Sequence, residues 1–405
     1  MSNDGLDLFD DVDSDDRRRS GRADRRRPRR RRRRGITWSI VLVLVVVIGG
    51  GAYLGVRQFA GLGSYPDYSG NGDQDVVFQV NPGDSTTAIG DNLTTASIVK
   101  SAKAFVKAAA NNNEIGGVQP GFYVLKQHMS GTVAVNAIVA RASRVGLLEI
   151  KSGWQLDDTT STAGKVTPGI LSHIATASCA NLNGGKTCVS VADLRAAIAG
   201  TDPAALDVPA WAVPTTANAD PKHRMEGLIM PGVYNLKPGE TAVQTLKRIM
   251  DQSSAQLQAD GLPGTNQQAT GFSPYQILTM ASIVEREAGT STDMPKIARV
   301  FYNRLVKPMD LQSDATVDYA LDRPMVATAP SERPGAGAYD TYDNAGLPPT
   351  PVSSPSAAAI QAATQPSAGD WLYFVVCRQD RTSCFATNLT DHNKNVALAH
   401  TNGVF

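Results

Sequence analysis

The chain has 405 residues, room for two or three domains, and its formal net charge of +1 hides a strong asymmetry. Residues 1–34 hold 13 Arg and 8 Asp, so the remainder is net negative. The arginine block directly precedes an apolar stretch, and that position argues against a nucleic-acid partner.

Residues 1–34 join an acidic patch, Asp10 to Asp16, to a run of arginines ending at Arg34. They show no apolar periodicity, which predicts a disordered tail. A transmembrane helix is predicted over 35–56: Ile36 to Val56 carries no formal charge and is long enough to cross a hydrocarbon core of about 30 Å. Trp38 and Tyr53 fall near its ends, and the arginines on one flank place the N-terminus in the cytoplasm and the larger mass outside. The competing reading is a cleaved signal peptide, but the leader is long and no A-x-A-like site follows closely. Residues 57–75, rich in Gly, Ser, Asp and Tyr from Gly61 on, read as a linker. Four cysteines, Cys179, Cys188, Cys377 and Cys384, all follow the apolar stretch. They allow three pairings. The local one closes two short turn-rich loops, and the spacing is wide for a zinc knuckle.

Beyond the linker an α+β pattern is predicted. V-V-F-Q-V from Val76 reads as a strand. Ser85 caps a helix through Ile89 and Leu93, a second helix runs from Ile98 to Ala110, and a strand returns at Gly121. This β-α-α-β unit, 76–130, resembles a LysM module, a fold that binds N-acetylglucosamine polymers or serves a structural role. Residues 131–220 form a bridging region with helical stretches such as Val191 to Ile198, and 221–405 form the domain that carries the motifs. Its central helix follows Ser273 as N-cap and Pro274 as first residue, is almost wholly apolar from Ile277 to Val284, and ends at Gly289 in an expected left-handed cap. Glu285 and Glu287 flank Arg286 in its last turn. A carboxylate at the rim of a buried helix resists ionising and suits a general acid. The two lie about 160° apart around the helix, so at most one faces a small substrate, and periodicity does not say which. W-L-Y-F-V-V, from Trp371 to Val376, reads as a buried strand.

Four strings in this order carry a family resemblance: E-G-x-x-x-P-x-x-Y at 226–234, A-S-I-V-E-R-E at 281–287, L-Q-S-D-x-T-V-x-Y at 311–319, and Y-x-T-Y-x-x-x-G-L-P-P-x-P at 339–351. A weaker fifth holds H-N-x-N-V near 392–396. Together they resemble the endolytic murein transglycosylase, or YceG-like, family. The resemblance implies a membrane-anchored lytic enzyme outside the cytoplasmic membrane, acting beside peptidoglycan synthases and ending strand elongation. It would cleave the β-1,4 bond between N-acetylmuramic acid and N-acetylglucosamine inside glycan strands and leave a 1,6-anhydro end, with no cofactor and no metal. It places the catalytic acid at Glu285. It gives Gln312, Asp314 and Thr316 a role in holding sugar hydroxyls or N-acetyl groups, Tyr339, Tyr342 and Asn344 a role in lining the cleft, and Asn393 a role in steadying the site. Met230 and Gly232 depart from the family pattern, as does the long stretch 152–219. Two other functions stay open: a non-catalytic scaffold that binds the wall, and a hydrolase whose second carboxylate would be Asp318 or Asp322.

Overall fold

The computed structural model describes residues 65–264, 270–323, 330–331 and 333–404. The arginine-rich tail, the predicted membrane helix over 35–56 and the start of the linker lie outside the described residues. Among the described residues no helix is long and apolar enough to cross a membrane. The chain divides into two compact units, 1–65 and 66–405, and every element below belongs to the second.

The second unit is α+β and holds two hydrophobic cores. The first opens with the predicted β-α-α-β order: β1 (Asp75–Val80), α1 (Thr86–Thr95), α2 (Ala102–Ala109) and β2 (Gly121–Lys126). The strands pair antiparallel from Asp75↔Lys126 to Val80↔Gly121. Ser85 caps α1, its hydroxyl accepting from the Ala88 amide. The second helix begins four residues later than predicted, because Ser101 takes the N-cap and Ile98 and Val99 are buried in the turn before it. Helix α3 (Gly131–Val139) packs on α2, and β3 (Arg144–Val145) adds a third strand beside β2. Phe78, Leu93, Phe105, Leu125 and Ile138 share this core, so α3 and β3 complete the unit predicted over 76–130.

The larger core runs from Leu148 to Ala363. Strand β4 (Leu147–Ile150) pairs antiparallel with a distant strand at 232–235, bringing the bridging region onto the motif-bearing domain. Between them lie the hairpin β5 (Thr159–Thr160) and β6 (Val166–Thr167), α4 (Ile170–Ala177), the hairpin β7 (Ala180–Leu182) and β8 (Gly185–Thr187), α5 (Val191–Gly200) and α6 (Val213–Asn218). Strand β9 (Gly232–Asn235) leads to α7 (Ala242–Ala259), α8 (Pro274–Glu287), α9 (Met294–Val306), α10 (Asp314–Ala320) and α11 (Ala357–Thr364). A hairpin of β10 (Tyr373–Val376) and β11 (Ser383–Ala386) precedes α12 (Leu389–Thr401). The cysteines form the local pairs, Cys179–Cys188 and Cys377–Cys384, each tying a hairpin. Strand β10 is half-buried rather than buried, since it belongs to a two-stranded ribbon with one neighbouring strand.

Helix α8 is the axis of this core. Ser273 and Gln276 form a reciprocal capping box with Pro274 in the first turn, and every residue from Ile277 to Val284 is buried. It packs against α9, α10 and α11. Its end differs from the expected left-handed glycine: Ala288 is the C-cap in extended conformation. Gly289 is required for another reason, since a Cβ there would lie 2.3 Å from the Arg381 carbonyl oxygen.

The string at 226–234 and the Pro-rich loop dock on each other through Gly227. It sits at φ +73°, and a Cβ would meet Pro351 Cβ at 2.4 Å. Gly227→Ala therefore combines left-handed strain with overpacking and should cost about 3 kcal/mol. Thermal unfolding of the variant checks this, and an unchanged midpoint would refute the close approach.

Candidate active site

The last turn of α8 sends its two carboxylates to different neighbours. Glu285 Oε2 accepts from the Ser356 amide at 3.0 Å and from the Ser356 hydroxyl at 2.5 Å. Ser356 is the N-cap of α11, and its Oγ also accepts from the Ala359 amide. The carboxylate expected to be the acid is thus engaged in joining α8 to the start of α11, a place where negative charge suits the helix dipole.

Glu287 turns the other way. Its Oε1 accepts from the Ser313 hydroxyl at 2.5 Å, which brings it beside Asp314 at the start of α10. Burial pushes its pKa above the ordinary glutamate value, and the Asp314 charge adds to the rise. The Ser313 hydroxyl, the Ala315 amide and Arg286 oppose it. A carboxyl so placed holds a proton at higher pH than a free one. Periodicity could not separate the two glutamates and the family resemblance placed the acid at Glu285; the structure gives them different partners, Ser356 and Ser313.

The loop before α10 supplies the rest of the cluster. Half-buried Asp314 accepts from the Tyr342 hydroxyl at 3.0 Å, and the Arg333 guanidinium lies 3.5 Å from the centre of the Tyr342 ring. Gln312 is exposed at φ +51°, its amide donating to the Thr341 carbonyl at 2.9 Å. A non-glycine residue held there stores strain, of the kind that clusters at functional sites. Arg304, on α9, fixes this loop: it is buried and donates to the carbonyls of Leu311 at 2.8 Å, Asp310 at 3.3 Å and Leu372 at 2.7 Å. Arg304 and Arg333 were not identified from sequence, because a lone arginine carries no motif, and Ser313 stands inside the 311–319 string without a role assigned to it.

The remaining predicted residues fall into place around this cluster without joining it. Thr316 is fully buried, bonded to the Ser313 carbonyl and the Thr341 hydroxyl, and so is closed to a sugar. Tyr339 is also buried, its hydroxyl 2.8 Å from Thr350 Oγ1 and its ring packed against His223 and Tyr319. Both hold the floor of the site and do not line a cleft. Asn344 braces its own loop, donating to the carbonyls of Gly337 and Asp340, each at 2.9 Å. Asn393 is exposed on α12. Its neighbour His392 stacks on Tyr373, whose ring covers Arg304. A cavity of about 590 Å³ opens instead at the far end of α8, between Phe272, Tyr275 and Leu347, and neither glutamate lines it.

Under the cluster lies a second acid. Glu226 is 1 % exposed; Oε2 accepts from the Leu156 amide at 3.1 Å, and the Tyr319 hydroxyl also bonds to the carboxyl. Burial pushes its pKa up to about 7 from an ordinary 4.5, against the pull of that amide and of the Tyr319 hydroxyl. The fold thus favours the protonated form. Its contribution to stability is complete below pH 4.5 and is lost as pH rises towards 7, by about 3 kcal/mol at full extent. Urea unfolding of wild type should therefore weaken between pH 5 and 8 more than that of Glu226→Gln. Equal slopes for the two proteins would contradict this.

Glu287 gives a sharper local expectation. By carboxyl NMR it should titrate above an ordinary glutamate, higher still in Ser313→Ala and lower in Asp314→Asn. A value at or below the ordinary range, or shifts of opposite sign, would refute the electrostatic account.

The profile of the YceG-like family matches residues 78–398. The chain is similar to an endolytic murein transglycosylase of Bacillus subtilis, 28% identical over 330 residues that cover 79% of this chain and 83% of the relative. It is similar also to an endolytic murein transglycosylase of Streptococcus pneumoniae, 26% identical over 86% of this chain and 62% of the longer relative. Among solved structures, a YceG-like protein from Listeria monocytogenes superposes with a TM-score of 0.51 at 26% identity, over 80% of this chain and 99% of that one.

Proposed function

The chain belongs to the YceG-like family, and from that premise we propose that it is a lytic transglycosylase acting on peptidoglycan, the activity for which its Bacillus and pneumococcal relatives are named. The bond cleaved is the β-1,4 link between N-acetylmuramic acid and N-acetylglucosamine within a strand, and the product ends in a 1,6-anhydro sugar. The observation that carries the chemistry is the Glu287 carboxyl, its pKa raised by burial and by Asp314, with Ser313 holding one oxygen.

One carboxyl is enough for this reaction. Hydrolases need two, to protonate the leaving oxygen and to activate water or form a covalent bond. Here Glu287, protonated, gives its proton to the glycosidic oxygen as the bond breaks. The resulting carboxylate takes the proton of the C6 hydroxyl as that oxygen closes on C1. Attack within one sugar replaces a bimolecular step, so the cost of positioning a nucleophile is already met. Ser313 steadies the carboxylate while it is charged and sets the direction of its second oxygen. Asp314 makes the proton easier to retain before the bond breaks. Gln312, Asp314 and Tyr342 face the sugar, while Thr316, Tyr339 and Asn344 hold the loops that present them. Asn393 stands at the rim. Glu285, tied to Ser356, keeps α8 and α11 in register rather than transferring a proton.

The membrane helix over 35–56 and an extracytoplasmic catalytic unit are part of this reading, supported by the one-sided arginine block and by two disulfides, bonds that persist in oxidising compartments. The β-α-α-β layer is taken as a LysM-like unit on its element order.

Purified peptidoglycan incubated with wild type should release anhydro-muropeptides, as read by mass. Glu287→Gln should lower this rate by about 10³-fold, the upper range for a general acid, and Glu285→Gln by about tenfold at most. Hydrated products from wild type would indicate a hydrolase. A silent Glu285→Gln beside an active Glu287→Gln would return the acid to position 285.

A further inference from the structure

A second, smaller cavity opens beside the last turn of α8. It measures about 150 Å³ and is walled by Trp154, Asp157, Thr159, Pro168, Arg286 and Arg323. Its frame is fixed on two sides. The Gly153 amide donates to the Ser354 carbonyl and the Ser354 amide to the Trp154 carbonyl, each at 2.8 Å, so the loop is clamped to the segment that holds Glu285. The Trp154 indole is half-buried and stacks on His173, with ring centres 4.2 Å apart and planes 13° from parallel. The tryptophan is therefore a rigid wall.

The charge of the pocket is positive where it matters. Its one acid, Asp157, is bound by Arg195. Among the described residues Arg286 makes a single hydrogen bond, to the Gly153 carbonyl at the 3.5 Å limit. A guanidinium has five donors in a planar fork that matches a carboxylate. An aromatic wall facing a guanidinium with donors to spare suits a carboxylate on a short arm. Volume decides between an arm and a ring. Pockets for whole small-molecule ligands run to about 300–1,000 Å³, and this one is well below that range, so it takes a substituent rather than a sugar.

In peptidoglycan that keeps its stems the lactyl carboxyl of muramic acid is tied up in an amide, so the free carboxylates lie on the peptide stems. Arg286 is the sequence neighbour of Glu287, with Cα atoms about 3.8 Å apart, so the pocket and the acid share the last turn of one helix. We infer that the Trp154–Arg286 pocket binds a carboxylate of the peptide stem, and that the protein reads the stem as well as the sugar chain. This inference rests on the peptidoglycan reading above.

The test uses full-length Glu287→Gln protein and two stem-bearing glycan fragments of equal length, one with free stem carboxylates and one with those carboxylates converted to amides. Calorimetry should show the fragment with free stem carboxylates binding about tenfold tighter, in keeping with one charge-assisted contact. In the same background Trp154→Ala and Arg286→Gln should bring the ratio close to one, while Trp154→Phe, which keeps the aromatic wall, should retain it. Equal binding of both fragments, binding of neither, or an unchanged ratio in Trp154→Ala and Arg286→Gln would overturn the inference. Failure of the catalytic assignment would appear separately, as anhydro product formed by Glu287→Gln during the titration.

Discussion

Burial of α8 forces everything else about the site. From Ile277 to Val284 the helix is surrounded on all faces, so it cannot rotate or slide without opening the core around it. Its final turn emerges with three charged residues whose directions are fixed by 100° steps. Glu285 is directed at Ser356, Arg286 at the loop of Gly153, and Glu287 at Ser313. Three separate segments, α11, the 153–157 loop and the start of α10, are each joined to one of these side chains. The helix end thus acts as a junction, and a shift of one residue would break all three joints at once.

The ground beneath this junction is made of buried polar groups. Buried Glu226, Tyr319, Tyr339 and Thr350 lie together with half-buried His223. The His223 ring nitrogen meets the Tyr319 hydroxyl at 2.7 Å, and burial holds the His223 pKa below its ordinary value while raising those of Tyr319 and Tyr339. Such a network is stable only when nearly every member is satisfied. It fixes the positions of the loops above it. The string around Glu226 is then explained by packing: Gly227 admits Pro351, and Tyr234 donates to the Met230 carbonyl.

The order of elements could be read along the chain because it rests on local chemistry. Ser85, Ser273 and Pro274 mark helix starts through backbone rules that need no tertiary context. The local disulfides, the first β-α-α-β unit and the apolar identity of α8 belong to the same class. What could not be read depends on partners far away in sequence. Periodicity treats Glu285 and Glu287 alike, only the family resemblance chose Glu285, and the partners that set them apart, Ser356 and Ser313, lie 71 and 26 residues on. Thr316 and Tyr339 sit in strings that suggest contact with a sugar, yet the residues around them close them off. Gly289 was expected to relieve backbone strain; its neighbour at Arg381, brought by the β10–β11 hairpin, sets the requirement instead. The division of 131–220 between two cores follows from the pairing of β4 with β9, a contact across more than eighty residues that no periodicity encodes.

The account depends on which carboxyl meets the glycosidic oxygen. A crystal structure of Glu287→Gln with an uncleaved glycan fragment answers this directly. The account predicts that the side chain at 287 lies within about 3 Å of the bridging oxygen, the usual hydrogen-bond reach for proton transfer, with Gln312 and Tyr342 against the sugars and Glu285 still bound to Ser356. A fragment whose bridging oxygen sits against Glu285, with Ser356 displaced, would contradict it.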